Sequence, residues 1–472
     1  MPALFRSLLV PCVAVVALAD PAAAQLRTSA SQLPRDSPFR GGVPAGGASA
    51  TPMALTIADV LERALINNLA VVNSEIDIER ARGTARVATS SLLPQFGGRV
   101  NEVRQKTNLE AFGLPVAETG LPKVVGPYNV FDARLYASQT VLDFQALNES
   151  RSEGHNERAA RFMNRSRRDQ IAMLAAEAYL QVLAADARVV SARAQRDTSQ
   201  ALFTQAQDLK ESGIVAGIDV LRAQVRLAGD TQRVTGAEHD AQKTRLDLAR
   251  MIGLPLGQMF TLSERLPELA MPDITVDQAV ERAYMQRPDY LAAAARVEAA
   301  EANRRAARGE SLPIVRATAD YGAIGLTPAS SLATFSVAGS VTVPIFQGGR
   351  DQGHVIEADA ELRGRKAEAD NLRAGIYYDI HNAFLDLQAT EEELRTATGA
   401  RDLAQETLTQ ARDRFQAGVS NNVEVVQAQQ ALTLADEEVI DATFGFLIAK
   451  AMLAGSMGTA EQEIRRFVEG VK

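Results

Sequence analysis

The chain of 472 residues is long enough for more than one hydrophobic core, carries a formal net charge of −8, and is 46% hydrophobic but only 5% aromatic, with no Trp and a single Cys. That balance excludes the basic stripes that nucleic-acid binding requires, a disulfide framework and a compact aromatic-rich core. It favours long packed helices rich in Ala and in charges of both signs.

Residues 1–24 contain Arg6, an apolar stretch from Leu8 to Ala19, and Ala22-Ala23-Ala24 before Gln25. They predict a secretory signal peptide cut after Ala24, its apolar run too short and wrongly flanked for a spanning helix. Cys12 follows Pro11 within that run, a poor context for lipid attachment, and its removal leaves a mature chain with no thiolate metal site. No later uninterrupted apolar run reaches ~18 residues, so no transmembrane helix is expected in the mature protein. Residues 25–53, dense in Pro, Gly, Ser and Ala, predict a flexible tether.

From residue 54 the chain repeats itself. Leu55-Thr-Ile-Ala-Asp-Val-Leu-Glu-Arg-Ala64 recurs as Ile274-Thr-Val-Asp-Gln-Ala-Val-Glu-Arg-Ala283, and Leu93-Pro94 as Leu312-Pro313. Further on, Ala178-Tyr179-Leu180 matches Ala383-Phe384-Leu385, Gly213 matches Gly418, and Gly253 matches Gly458. Two repeats, 54–271 and 272–458, with a C-terminal tail at 459–472, follow from these pairs. Between the matched blocks the first repeat holds a longer polar, Gly- and Pro-containing segment from Gln105 to Tyr128, as expected of an exposed loop.

Each repeat predicts the same elements. A helix covers Thr56 to Leu92 or Thr275 to Ser311 and is closed by Pro94 or Pro313. A hairpin follows at about 95–141 or 314–343. Then comes a very long helix, about 145–212 or 350–417, on the order of 100 Å at 1.5 Å per residue. A Gly-containing turn leads to a last helix, Asp219 to Ile252 or Glu424 to Met457. In the first long helix Ile171, Ala175, Ala178, Val182, Ala185, Val189 and Ala192 recur at steps of four and three, a coiled-coil seam of small residues. Walls one helix thick, with water on a face, are expected. A soluble periplasmic coiled-coil scaffold is the other arrangement that helices alone allow.

The alternating segments favour a membrane. Phe131, Ala133, Leu135, Ala137 and Val141 share one strand face, with Gln139 the exception, opposite Asp132, Arg134, Tyr136, Ser138 and Thr140. Phe335, Val337, Gly339, Val341 and Val343 alternate with Ser336, Ala338, Ser340 and Thr342. Segments of ~10 residues suit tilted strands crossing an outer membrane. Four strands cannot close a barrel, for which at least ~8 are needed, and open edges are not tolerated in lipid. Two, three or four copies would close one.

Val343-Pro344-Ile345-Phe346-Gln347-Gly348-Gly349-Arg350 resembles the strand-to-helix junction of the TolC-like outer-membrane efflux proteins, and the resemblance extends over residues 54 to 458. The first-repeat counterpart, Val141-Leu142-Asp143-Phe144, keeps the Phe and lacks the Gly pair. The resemblance implies a mainly α protein with transmembrane β structure. Its trimer would form a twelve-stranded barrel in the outer membrane of a Gram-negative-type cell, continued by an α-helical barrel across the periplasm. It implies a passive duct for efflux or type I secretion, working with a periplasmic adaptor and an inner-membrane pump of the RND, ABC or MFS class.

Two turns, Gly213-Ile214-Val215 and Gly418-Val419-Ser420, match those that dock the adaptor in the family. Just beyond the second turn the family often carries two acidic residues three apart, facing the tunnel; here they are Glu424 and Gln427, so one carboxylate ring replaces two. Asp219 and Arg222 match positions linked to bonds that hold the tunnel end closed. From the residues alone, all four lie in a first helical turn, where an acid is favoured by the helix dipole. The cargo, whether drug, metal ion, metabolite or polypeptide, stays open at this stage.

His155, His239, His354 and His381 show no metal-ligand spacing, and Glu391-Glu392-Glu393 spreads around its helix without converging on a site. No nucleophile elbow or phosphate loop is present. Neither catalysis nor a cofactor is expected.

Overall fold

The computed structural model describes residues 34, 37–112, 120, 122–213, 215–262, 269, 271–417, 419–420 and 422–469. The expected signal peptide at 1–24, Cys12 included, lies outside the described residues. The first half runs through β1 (Met53–Leu55), α1 (Ile57–Asn67), α2 (Leu69–Ser90), β2 (Gln95–Asn108), β3 (Val124–Leu142), α3 (Phe144–Glu211), α4 (Gly217–Met251) and β4 (Phe260–Leu262). The second half runs through α5 (Val276–Gln286), α6 (Pro288–Gly309), β5 (Ile314–Gly325), β6 (Leu332–Thr342), α7 (Arg350–Gln416) and α8 (Asn422–Ser456). A further helix, α9 (Ala460–Glu469), occupies the stretch taken from sequence as a tail.

The opening helix of each half is two helices where apolar spacing predicts one. Thr56 and Thr275 start them with capping boxes to Asp59 and Gln278. The first break comes at Asn68, whose backbone turns to ψ 132° and whose side chain caps α2 through the Ala70 amide. The second comes at Arg287, because the following Pro288 drives its neighbour out of the helical region, here to ψ 116°. Asn68 Nδ2 donates to the Met251 carbonyl at 3.3 Å, and Arg287 Nη1 donates to the matching Ser456 carbonyl at 3.3 Å. Arg287, 2% exposed, also binds Asp289 and Asp379. The two halves thus fasten the same joint with different chemistry.

The four long strands form one antiparallel sheet in the order β2-β3-β5-β6, so the halves meet where β3 pairs with β5. On one face Phe96, Leu135, Tyr321, Phe335, Val337 and Val341 are all exposed, Phe335 to 76% and Val337 to 78%. Among the described residues no element covers them, which a soluble scaffold would require. Gln139, the polar exception, donates to the carbonyls of Leu92 and Thr140 at the helix end of the sheet. In the single chain β2 and β6 each leave one edge unpaired.

Helix α3 is the spine, packing on α2 and α4 of its own half and on α6 and α8 of the other. The seam residues Ile171, Ala175, Ala178, Val182, Ala185 and Ala192 are buried, and Val189 is half-buried. Ala172, Leu174, Ala176, Tyr179 and Leu180 are buried as well. The wall expected to be one helix thick is therefore thickened here. Leu55 of β1, Val60 and Leu61 of α1, Leu248 of α4, Phe260 of β4 and Ile464 of α9 close around α3 in a single core. A second core joins α5, α7 and α8 through Ile376, Ile380, Leu387, Phe446 and Leu453. Helix α8 contains a window of mean hydropathy 1.4 between Val423 and Ser456, apolar enough to cross a membrane by length and composition. Half of that window is buried against the other helices, so it is a packed bundle helix.

The segment expected to be a flexible tether is docked from Pro38 onward. Val43 N–H donates to Asn67 O at 2.8 Å, Ala45 N–H to Gly253 O at 3.1 Å, and Phe39 packs on the first core. Gly42 allows the approach, since a Cβ there would sit 2.5 Å from the Arg250 carbonyl oxygen. Pro, Gly and Ser content reads as flexibility only until a surface supplies backbone partners.

Helix α9 is clasped to α3 by charge. Arg168 donates twice to Glu461, at 3.0 and 2.7 Å, and Asp169 accepts the Glu461 amide at 3.1 Å. Burial pushes the Asp169 carboxyl up to about 7; the Glu461 amide opposes this and the Glu461 and Asp289 carboxylates add to it. An acid whose pKa is higher folded than unfolded favours folding below its unfolded value and loses that advantage as pH rises through the folded one. Thermal stability should therefore fall between about pH 4 and pH 7 by at most about 4 kcal/mol from this group. In Asp169→Asn that part of the slope should vanish. An identical pH profile of melting in the variant would show that the carboxyl is solvated.

Candidate functional site

The two helical hairpins, α3/α4 and α7/α8, end together. Leu202 of α3 packs on a cluster made by Leu408 and Ala411 of α7 with Val425 and Ala428 of α8. In the first turn Gly213 adopts φ +75°, a conformation that only glycine takes without strain, and Val215 is half-buried. In the second, Val419 N–H donates to Arg414 O at 3.0 Å; Val419 is 72% exposed and Ser420 half-buried. Ile214 and Gly418 lie outside the described residues.

The four tip residues do not form one site within a chain. Arg222 Nη1 donates to Asp219 Oδ1 at 3.2 Å, a bond within one turn of α4. Glu424 and Gln427 are both exposed on α8. Arg414, across the turn at the end of α7, brings Nε to 3.6 Å from Glu424 Oε2. That partner was missed from sequence, where only the spacing of two basic and acidic groups around a turn hinted at it. It moderates the charge that three copies of Glu424 would present.

Above the tip, α4 is tied to α3 and α8 by a polar knot that sequence reasoning also missed. Asp230 is 1% exposed, and its Oδ2 accepts from Ser199 Oγ at 2.5 Å and from Arg226 Nε at 3.0 Å. Arg233 lies 3.3 Å from Oδ1. Gln429 Nε2 of α8 donates to Ser199 Oγ at 2.8 Å, and Arg226 Nη2 donates to Thr433 Oγ1 at 3.3 Å. The pair Arg226/Asp230 is visible as an i,i+4 spacing, but such spacings are ordinarily solvated. Its burial comes from α3 and α8, far away in sequence.

At the opposite ends of the long helices lie the strand-to-helix junctions. Phe144 begins α3 behind the cap Asp143, whose Oδ1 accepts the Ala146 amide at 2.9 Å. Strand β6 stops at Thr342, two residues before Pro344. Gly348 at φ +66° and Gly349 at φ +87° turn the chain into α7. Ile345 and Phe346 are 95% and 88% exposed.

A sheet with one lipid-compatible face and two free edges, joined through turned junctions to helices on the order of 100 Å long, is the geometry of one segment of a membrane-crossing tube. Known proteins agree. A family model described as outer membrane efflux protein matches residues 60–254 and 279–459. The pyoverdine export outer membrane protein OpmQ of Pseudomonas putida is 24% identical over 396 residues, which is 81% of each chain. The outer membrane protein TolC of Escherichia coli is 21% identical over 444 residues, covering 90% of this chain and 87% of that protein. The solved structure of the outer membrane protein VceC of Vibrio cholerae superposes with a TM-score of 0.71 at 18% identity, covering 85% of this chain and 96% of that one.

Proposed function

The chain belongs to the outer membrane efflux protein family, and from that premise we propose that three copies close one duct whose periplasmic end is narrowed by the tips of α4 and α8. It is an outer-membrane channel component of an efflux or secretion system, with its helical tunnel in the periplasm. Members of the family are channels, and we assign this chain no catalysis of its own. The carrying observation is the sheet: an uncovered apolar face ending in two unpaired edges is stable in lipid only if other copies pair β2 with β6. Three copies are general in the family and give a twelve-stranded barrel.

The turns at Gly213 and Val419 present themselves to a periplasmic adaptor, and an inner-membrane pump supplies the energy. An adaptor would meet an exposed apolar Val419 at one turn and a backbone turned at Gly213 at the other. As the names of two relatives record pyoverdine export and alkaline protease secretion, both small molecules and polypeptides fit the family pattern.

In detergent the protein should run as a trimer and form ion-conducting pores in planar bilayers. A water-soluble monomer without conductance would overturn the duct. Glu424→Gln should lower cation preference by roughly a factor of two at 0.1 M salt. That follows from three charges at ~10 Å, each worth ~0.4 kcal/mol in water before screening. Asp219→Ala should free Arg222 and raise single-channel conductance. Unchanged currents in both variants would mean that these groups are ordinary solvated turn residues.

A further inference from the structure

Although the whole chain is acidic, the wet face of its sheet is not. The register places Gln95, Gly97, Arg99 and Asn101 of β2, Asp132, Arg134, Tyr136 and Ser138 of β3, and Arg316, Thr318 and Asp320 of β5 on the face opposite Phe335 and Val337. Among the described residues with a register partner, the charged groups on this face are three arginines and two aspartates, a balance of one positive charge per copy.

The charges are not equally available. Arg134 is held between two carboxylates: Nε lies 2.8 Å from Asp132 Oδ1 and Nη1 lies 2.6 Å from Asp320 Oδ1. Gly322, its register partner on β5, makes room for that side chain, since a Cβ there would stand 2.5 Å from Arg134 Cγ. Arg134 and its partners thus leave a negative remainder fixed close to the wall. Among the described residues neither Arg99 nor Arg316 makes an ion pair, and both are exposed. Arg99 stands with its guanidinium carbon 5.5 Å from the centre of the Tyr136 ring, so it is propped in place without being neutralised. It also sits directly across from Arg134 in the β2–β3 register. Like charges directly opposite in a sheet oppose stability, and a position that keeps them is better explained by what the face does.

We propose that Arg99, level with Arg134 of β3, and Arg316, level with Thr140 and so roughly 20 Å further along the strand, form a two-tiered basic belt inside the barrel that favours passage of anionic solutes, carboxylate- or phosphate-bearing small molecules among them, through the outer-membrane part of the duct. The belt rests on the trimeric duct reading and adds to it a second charge filter, opposite in sign to the Glu424 ring at the far end. In a lumen wider than the tip, its influence reaches the axis only where the Debye length is comparable to the lumen radius, ~30 Å at 0.01 M and ~3 Å at 1 M salt.

The test uses the full chain with Glu424→Gln and Arg414→Gln, which together remove the paired charges at the tip, in planar bilayers under a KCl gradient near 0.01 M. The reversal potential should report roughly a twofold preference for chloride. Adding Arg99→Gln and Arg316→Gln should abolish the preference or invert it, and adding Asp132→Asn instead should strengthen it. All of these differences should disappear at 1 M KCl. A conducting pore whose reversal potential is unmoved by the two arginine replacements would overturn the belt and leave the duct standing. Absence of conductance in the parent protein would overturn the duct, and the belt with it. Glutamine keeps the side chains polar and the strands paired, and a trimer of normal mobility in detergent would confirm that each variant has assembled.

Discussion

Replacing Asp230 with alanine is expected to cost on the order of 3–5 kcal/mol of folding free energy, the usual price of removing one member of a buried ion pair. The carboxylate is 1% exposed, Arg226 is 14% exposed and Arg233 39%. Without it Arg226 is left as an uncompensated charge between three helices, while Ser199 loses its acceptor and can no longer order Gln429. The effect should be seen as a lower midpoint in thermal unfolding followed by helical circular dichroism. Replacing the set together, Asp230→Leu with Arg226→Met, Ser199→Ala and Gln429→Leu, should recover most of the loss, because apolar residues of similar volume serve such a site about as well. A midpoint unchanged in Asp230→Ala would mean that water reaches the knot. The knot ties α4 of one hairpin to α8 of the other above the tip, so its loss should also loosen the hairpins from one another.

Arg287→Ala is expected to be of similar size, on the order of 3–5 kcal/mol. The guanidinium lies at the broken joint between α5 and α6 and answers three demands at once: the carboxylates of Asp289 and Asp379 and the end of α8 at Ser456 O. Alanine leaves two carboxylates facing each other around an empty space and an unpaired carbonyl. Lysine should rescue poorly, since it offers a point charge where a planar fork bridges separate acceptors. In the first half, Asn68→Ala removes only neutral bonds, to Phe39 O, Met251 O and the Ala70 amide it caps, and should cost about 2–3 kcal/mol. Denaturation at equal protomer concentration would compare the two, because melting of an oligomer depends on concentration. Equal losses at both positions would show that charge is irrelevant to this joint.

The contrast between Asn68 and Arg287 illustrates what a sequence conceals. Their equivalence follows from the repeat, and so does the helix preceding each. That both end on the carbonyl at the close of the last helix of their half depends on a contact across 183 residues in one case and 169 in the other. Asp230 is similar. Its neighbours in sequence suggest a solvated helix face, and only α3 and α8 make it a buried charge.

Composition misled where partners lie far off along the chain. Residues 38 to 45 look like a tether because Gly, Pro and Ser lack periodicity; Asn67 and Gly253 offer their carbonyls from opposite ends of the first half and hold the segment down. The seam of α3 was legible as a spacing of four and three. The burial of Tyr179 and Leu180 beside that seam was not, because α1, α8 and α9 close over them from three directions.

By itself the sequence determined the duplication, the long helices, the two-faced strands and the glycine-turned junction before α7, because each depends on the periodicity or backbone freedom of neighbouring residues. The tertiary structure alone decided which charges are buried, which face free water and which backbone groups find partners. Burial and pairing are properties of distant segments brought together, and in this fold the short elements α1 and α9, the N-terminal strap and the other hairpin supply them. The same division runs through the barrel face: alternation in β3 marks Arg134 as wet, and only the register across β2, β3 and β5 puts Arg99 and Arg316 on the same face and shows that Arg134 is neutralised.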